Sequence, residues 1–328
     1  MNTGQPFRHG IAIYTVRLIL VVLLLGGCSE PPEKPVTIAI NPWPGYEFLY
    51  LAQQKGFFAA SGANVEMVQL MSLGDAQRAY VNGRVDGLSS TLIEAVQAEH
   101  LGGQPLQVVL VADYSNGGDV ILASREIENV AQLKGKTVGC EVSSLGIVML
   151  QRALSKAGLS LSDVTVLNTE QSAGQELLDQ GRIDAFVSYS PFSVNVLKDS
   201  RYHTIFSSAE IPFEIIDTVA IASSVLEQHP HLVASIHQAW QMALDYSAHH
   251  PDEAHEIMAR REGISVEDFR EVLSTLALLD INKQRELFSN PQIIEASAKS
   301  VCDTLVQLGS LEGVDCEKQH PLMYRGEL

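Results

Sequence analysis

Two prolines and two large aromatics are concentrated in Pro42-Trp43-Pro44-Gly45-Tyr46-Glu47, directly ahead of a helical pattern. Pro42, Pro44 and Gly45 exclude regular helix or strand there, so Trp43 and Tyr46 project from a rigid loop. A preformed aromatic wall loses little entropy on binding, and it can stack on a planar group or cover an alkyl or cationic one. Burial in the core is the alternative for both rings. Hydroxyls gather at three further places: Ser89-Ser90-Thr91, Ser143-Ser144 and Ser188-Tyr189-Ser190-Pro191. Each stretch precedes a helical pattern, where free N–H groups and the positive end of the helix dipole suit an anionic oxygen cluster. Ser89, Ser90, Ser143, Ser144 and Ser190 are therefore candidate ligand contacts, although any one alone reads equally as a helix N-cap. Glu47, Asp113 and Asp119 are acids that could meet a ligand ammonium. Their alternatives are a first-turn carboxylate for Glu47 and turn capping for the aspartates.

Other chemistries find no support. "HHPDEAHE" (249–256) lacks the His-Glu-x-x-His spacing of a zinc protease and reads as a joint between helices. No Gly-x-Ser-x-Gly elbow, P-loop or dinucleotide fingerprint occurs, so neither metal nor cofactor is expected. A net charge of −17 argues against a nucleic-acid partner, which needs a basic face to release counterions.

The elements that must position these residues occur twice. "NGRVDG" (82–87) recurs as "QGRIDA" (180–185). Ahead of each copy stand a β-branched strand pattern, an amphipathic helix stopped by glycine, a second strand and a second helix; a third strand follows. Each copy thus predicts a β-α-β-α-β lobe with a parallel sheet. Ligands of such sheets sit at the carboxyl ends of strands, where the four aromatic and hydroxyl loops fall. Residues 107–124 and 206–223 read as the two crossings between lobes, with Gly117 and Gly118 available to absorb dihedral change. Beyond Ser224 the pattern is helical and is expected to pack on the first lobe.

The N-terminal segment is a different material. Arg8 and Arg17 supply a positive stretch ahead of a short apolar run that ends in Leu25-Gly26-Gly27-Cys28, and a Pro-rich tether follows. The segment resembles a lipoprotein signal peptide with its lipobox, which implies lipidation of Cys28; an uncleaved anchor helix is the alternative. Cys140 reads as a buried thiol. Cys302 and Cys316 are a possible disulfide, with two unpaired thiols as the alternative.

Taken in order, "WPGYEFLYLAQQKGFF", "NGRVDG", "GGDVILAS…VAQLKGKTVG", "LQRALSKAGL" and "QGRIDAFVSYSPF" resemble the type II periplasmic solute-binding proteins of ABC importers. The similarity is to the nitrate, sulfonate, taurine and thiamine-precursor group and runs from about Lys34 to the C-terminal helices. It implies an α/β Venus-flytrap fold: a signal peptide 1–27, a lipid-anchored tether 28–35, lobe 1 over 36–112, lobe 2 over 113–208, and a return crossing with C-terminal helices over 209–328. It also implies a monomeric, lipid-anchored receptor on the periplasmic side of the bacterial envelope. That receptor would clamp a small sulfonate-, amine- or pyrimidine-containing solute and deliver it to a permease and ATPase. The alternatives are an enzyme of pyrimidine or thiamine-precursor type on the same fold, and a periplasmic ligand sensor. An amino-sulfonate, anionic at the serine loops and cationic near Glu47 or Asp119, is the first expectation for the solute. A pyrimidine stacked on Trp43 is the second.

Overall fold

A computed structural model describes Met1, residues 34–317, 321–326 and Leu328. The signal segment, Cys28 and most of the tether lie outside the described residues. Of the unit Met1–Pro35, only Met1, Lys34 and Pro35 are described.

The first copy of the repeat runs β1 (Val36–Ile40), α1 (Glu47–Gln54), α2 (Phe57–Ala60), β2 (Val65–Gln69), α3 (Leu73–Val81), β3 (Gly87–Thr91) and α4 (Leu92–His100). β1 pairs in parallel with both β2 and β3. After β4 (Leu106–Ser115) the chain crosses to β5 (Asp119–Ser124) and the second copy follows: β6 (Thr137–Cys140), α5 (Leu145–Lys156), β7 (Thr165–Asn168), α6 (Gly174–Asp179), β8 (Ala185–Tyr189) and α7 (Phe192–Leu197). β6 pairs in parallel with β7 and β8.

One hydrogen-bond pattern shows that the copies are the same object. In each, the Asp of Gly-Arg-apolar-Asp reaches back to the first strand. Asp86 accepts from the Thr37 amide and Asp184 from the Thr137 amide, both at 2.8 Å. The glycine of each motif has positive φ, +64° at Gly83 and +63° at Gly181, which a side chain would disfavour. The shared sequence is therefore a turn that closes each lobe's helix back onto its sheet.

β9 (Tyr202–Ser207) completes the second sheet, and β10 (Ile216–Ala222) returns to the first. The sheets are mixed, not purely parallel. With β11 standing for Leu276–Leu278, their orders are β11-β4-β10-β3-β1-β2 and β7-β6-β8-β5-β9, with β4, β10, β5 and β9 antiparallel to their neighbours. The two crossings are laced together: Ser115 and Ser208 share a hydroxyl hydrogen bond of 2.8 Å, and the Gly117 amide donates to Ser208 Oγ at 2.6 Å.

The C-terminal elements are α8 (Ser223–Gln228), α9 (Leu232–His249), α10 (Pro251–Glu262), α11 (Val266–Leu273), β11 (Leu276–Leu278), α12 (Ile281–Ser289) and α13 (Gln292–Gln307). They pack on the first lobe, α9 against α1 and α13 against α4. Trp240 of α9 is fully buried, packs edge-on against Phe48 and donates to the Leu279 carbonyl at 2.8 Å. One expectation fails here. "STLALL" reads as helix, but Leu276–Leu278 forms a strand because the end of β4 offers an open edge at Asp113–Ser115. Cys302 and Cys316 are joined in a disulfide, with their Cα atoms 5.9 Å apart. Cys140 is a free, buried thiol.

Candidate functional site

The site begins in the loop between β1 and α1. The amides of Tyr46 and Glu47 both donate to the Trp43 carbonyl, at 2.9 and 3.1 Å, which folds the loop back on itself. Both aromatic rings turn inward and are buried. Trp43 Nε1–H donates to Asp113 Oδ2 at 3.2 Å, and the Tyr46 hydroxyl donates to Asp217 Oδ1 at 2.7 Å. Asp113 on β4 and Asp217 on β10 face each other as register partners. Two carboxylates directly opposite on adjacent strands destabilise a sheet unless they share a proton or a ligand.

Gly45 makes room for this arrangement. A Cβ at position 45 would stand 1.8 Å from Asp113 Oδ2 and 3.0 Å from Trp43 Nε1. Only the end of a side chain is in the way, so Gly45→Ala is expected to fold normally while displacing the Asp113 carboxyl. Because Trp43 donates to that carboxyl, the displacement should change the tryptophan fluorescence spectrum while leaving the circular dichroism spectrum unchanged.

The second lobe supplies the opposite wall. Tyr189, at the end of β8, meets Trp43 edge-on with ring centroids 6.3 Å apart. It lies opposite Asp119 in the β5–β8 register. The amide of Leu73, from the first lobe, donates to the Tyr189 hydroxyl at 3.2 Å. That hydroxyl in turn lies 3.5 Å from Glu141 Oε2. Gln171 braces this wall, donating to Glu141 at 3.3 Å and accepting from Ser188 at 2.9 Å.

What the site lacks is as informative as what it holds. The hydroxyls of Ser89 and Ser90 are buried without a partner, as is one oxygen each of Asp113, Asp119, Asp217 and Glu141. Buried polar groups are ordinarily paired, and an unpaired charge is costlier still. Burial raises Asp113, Asp119 and Glu141 to about 7. Asp217 rises well above the usual carboxyl range, through burial first and then through the charges of Asp113 and Asp119. Among the described residues no basic side chain is ion-paired with Asp113, Asp119 or Asp217. The buried cation nearby, Arg261 of α10, is spent on Glu47 and on the carbonyls of Ile40 and Asn41.

Of the residues singled out in the sequence, Trp43, Tyr46, Asp113 and Asp119 come together in this cluster, while Ser89 and Ser90 are buried on β3 opposite Val219 and Thr218 of β10. The others point elsewhere. Glu47 is paired with Arg261, the Ser190 hydroxyl donates to Glu262 at 2.9 Å, and Ser144 donates to Glu94 at 2.7 Å. Ser143 is exposed. Glu94, Glu141, Asp217, Arg261 and Glu262 were not singled out. Asp217 had a legible signal: it is a lone acid inside the run Ile215–Ala222, as Asp113 directly follows the apolar run Val108–Ala112.

Two mixed α/β sheets joined by paired crossings, with a polar, aromatic-walled site between them, define a periplasmic-binding-protein fold. The aliphatic sulphonate-binding protein SsuA from Escherichia coli has this fold. It superposes with a TM-score of 0.72 over 87% of this chain and 97% of its own, at 17% identity. The chain belongs to the NMT1/THI5 like family, whose pattern matches residues 43–254. A Haemophilus influenzae protein named for thiamine biosynthesis is 28% identical over 218 residues, covering 64% of this chain and 68% of the relative. The formylaminopyrimidine-binding protein of Halalkalibacterium halodurans is 22% identical over 251 residues, covering 73% and 76%.

Proposed function

We propose that the chain is the lipid-anchored, extracytoplasmic receptor of an ABC importer, and that its solute is a small amine-bearing heteroaromatic of the aminopyrimidine kind. The observation that carries this reading is the cluster of Asp113, Asp119 and Asp217. Its unpartnered oxygens are enclosed by Trp43, Tyr46 and Tyr189. A flat ring with an exocyclic amine and a protonated ring nitrogen presents two parallel donors, which suit a carboxylate held in a fixed plane. The aromatic side chains would cover its faces. The name of the Halalkalibacterium relative supports the same class. A sulfonate or nitrate fits poorly, because its charge has the same sign as the cluster. Closure on the solute would favour engagement of the permease by shifting the open–closed equilibrium.

A thermal-shift comparison tests the reading. A 4-amino-2-methylpyrimidine at about 100 times its dissociation constant should add roughly 2.7 kcal/mol, whereas taurine and nitrate should leave the midpoint unchanged. A shift with taurine or nitrate and none with the aminopyrimidine would reverse the assignment.

A further inference from the structure

The first turn of α5 is arranged as an anion site, and the anion is part of the chain. Ser144 occupies the N-cap position with extended backbone (φ −144°, ψ −170°), yet its hydroxyl caps no amide of its own helix. It donates instead to Glu94 Oε1 at 2.7 Å, and the Leu145 amide donates to the same oxygen at 2.8 Å. A hydroxyl and a first-turn amide converging on one oxygen, at the positive end of a helix, is how such termini hold a ligand's oxyanion. The other oxygen of Glu94 accepts the Thr91 hydroxyl at 2.5 Å. Ser144 and Glu94 are both fully buried.

Glu94 belongs to the first lobe and α5 to the second. Thr91-x-x-Glu94 has capping-box spacing, which would turn the carboxylate back to its own helix start. One oxygen does turn back to Thr91, and the other crosses between lobes to Ser144 and Leu145.

We infer that Glu94 is a built-in counter-anion: it occupies the oxyanion position of the second lobe, fastens the closed lobes together, and denies that position to anionic solutes. A sulfonate, nitrate or phosphate entering the site would have to displace Glu94 and then lie beside Asp119. The inference stands apart from the aminopyrimidine reading, since it holds for any solute that is not anionic. It also explains why hydroxyl-bearing loops, which elsewhere suggest an anion, here line a site rich in acid.

The test uses the purified chain and no pyrimidine. Glu94→Ala leaves Ser144, Leu145 and Thr91 donating into a space of carboxylate size. Acetate or formate should therefore raise the thermal midpoint of Glu94→Ala by several degrees over chloride at matched ionic strength. Neither should move the wild type, and adding Ser144→Ala should remove the gain. A folded Glu94→Ala that responds to acetate no more than the wild type does overturns the inference, as does an equal response in the wild type. Should Glu94→Ala fail to fold, Ser144→Ala alone decides. Loss of its donor should shift the ligand-free protein toward a more open form, read as a larger radius of gyration in solution scattering. A radius identical to that of the wild type overturns the latch.

Discussion

Asp217→Asn is expected to make the ligand-free protein more stable and to abolish its function. Asp217 is buried opposite Asp113, receives the Tyr46 hydroxyl, and has a carboxyl pushed far above its ordinary range by burial. A group whose folded pKa exceeds its unfolded value contributes stability that is full below the unfolded pKa and is lost as pH rises through the folded one. Asp113 and Asp119, each raised to about 7 by burial, act in the same sense. The ligand-free wild type should therefore lose stability between roughly pH 4 and pH 7, where each carboxyl has bound a proton that the unfolded chain has released. An asparagine keeps an acceptor for Tyr46 and offers Asp113 an amide N–H without needing a proton. The gain should be absent near pH 4 and reach on the order of 2 kcal/mol at pH 8, measured by chemical denaturation. Solute affinity should fall roughly 100-fold or more by calorimetry. An unchanged stability at pH 8, or retained affinity, would remove Asp217 from the site.

Arg261→Ala should do the opposite, with a comparable or larger effect. Arg261 is buried with a 4% exposed side chain, is ion-paired with the wholly buried Glu47, and donates to the Ile40 carbonyl at 3.2 Å. It fastens α10 to the root of the Pro-Trp-Pro-Gly loop. Removing one partner of a buried pair strands the other, at about 3–5 kcal/mol. Burial already raises Glu47 to about 7 against the pull of Arg261, and burial together with the charge of Glu47 lifts Glu262 well above its usual range. Without Arg261 the stranded Glu47 can be relieved by a proton, so the loss should be larger at pH 8 than at pH 5. Denaturant titrations at the two pH values check this. A loss of equal size at both would show that Arg261 acts through packing alone.

The fold was legible because it repeats. A four-residue motif would be weak by itself, but Gly-Arg-apolar-Asp performs the same bond to Thr37 and Thr137, so element order and motif agree. The irregular loop was legible for a local reason, since Pro42, Pro44 and Gly45 exclude helix and strand there, but both of its rings turn inward and are buried, as the alternative reading had it. The acidic half of the site was not legible. Asp113 and Asp217 are distant in sequence and become neighbours only through the β4–β10 register. Glu94 looked like part of a helix start, and Ser144 like an anion contact. That each satisfies the other is a fact of closure between lobes, which no local pattern carries. β11 was hidden for a similar reason: a three-residue apolar run becomes a strand only where a neighbour leaves an edge.

The paired crossings also bear on how the molecule moves. Tyr114 and Ile216 sit opposite each other on antiparallel neighbours, and everything between them departs from and returns to that one rung. In topology β4 and β10 thus form a β-hairpin whose turn has been replaced by an entire second lobe. An insert with abutting ends is attached at a single joint, tied across by Ser115 and Ser208. An insert so attached can turn about that joint like a door on one hinge pin. The acids Asp113 and Asp217 stand one rung from that pin, while Glu94 and Ser144 engage across the lobes like the latch of the same door.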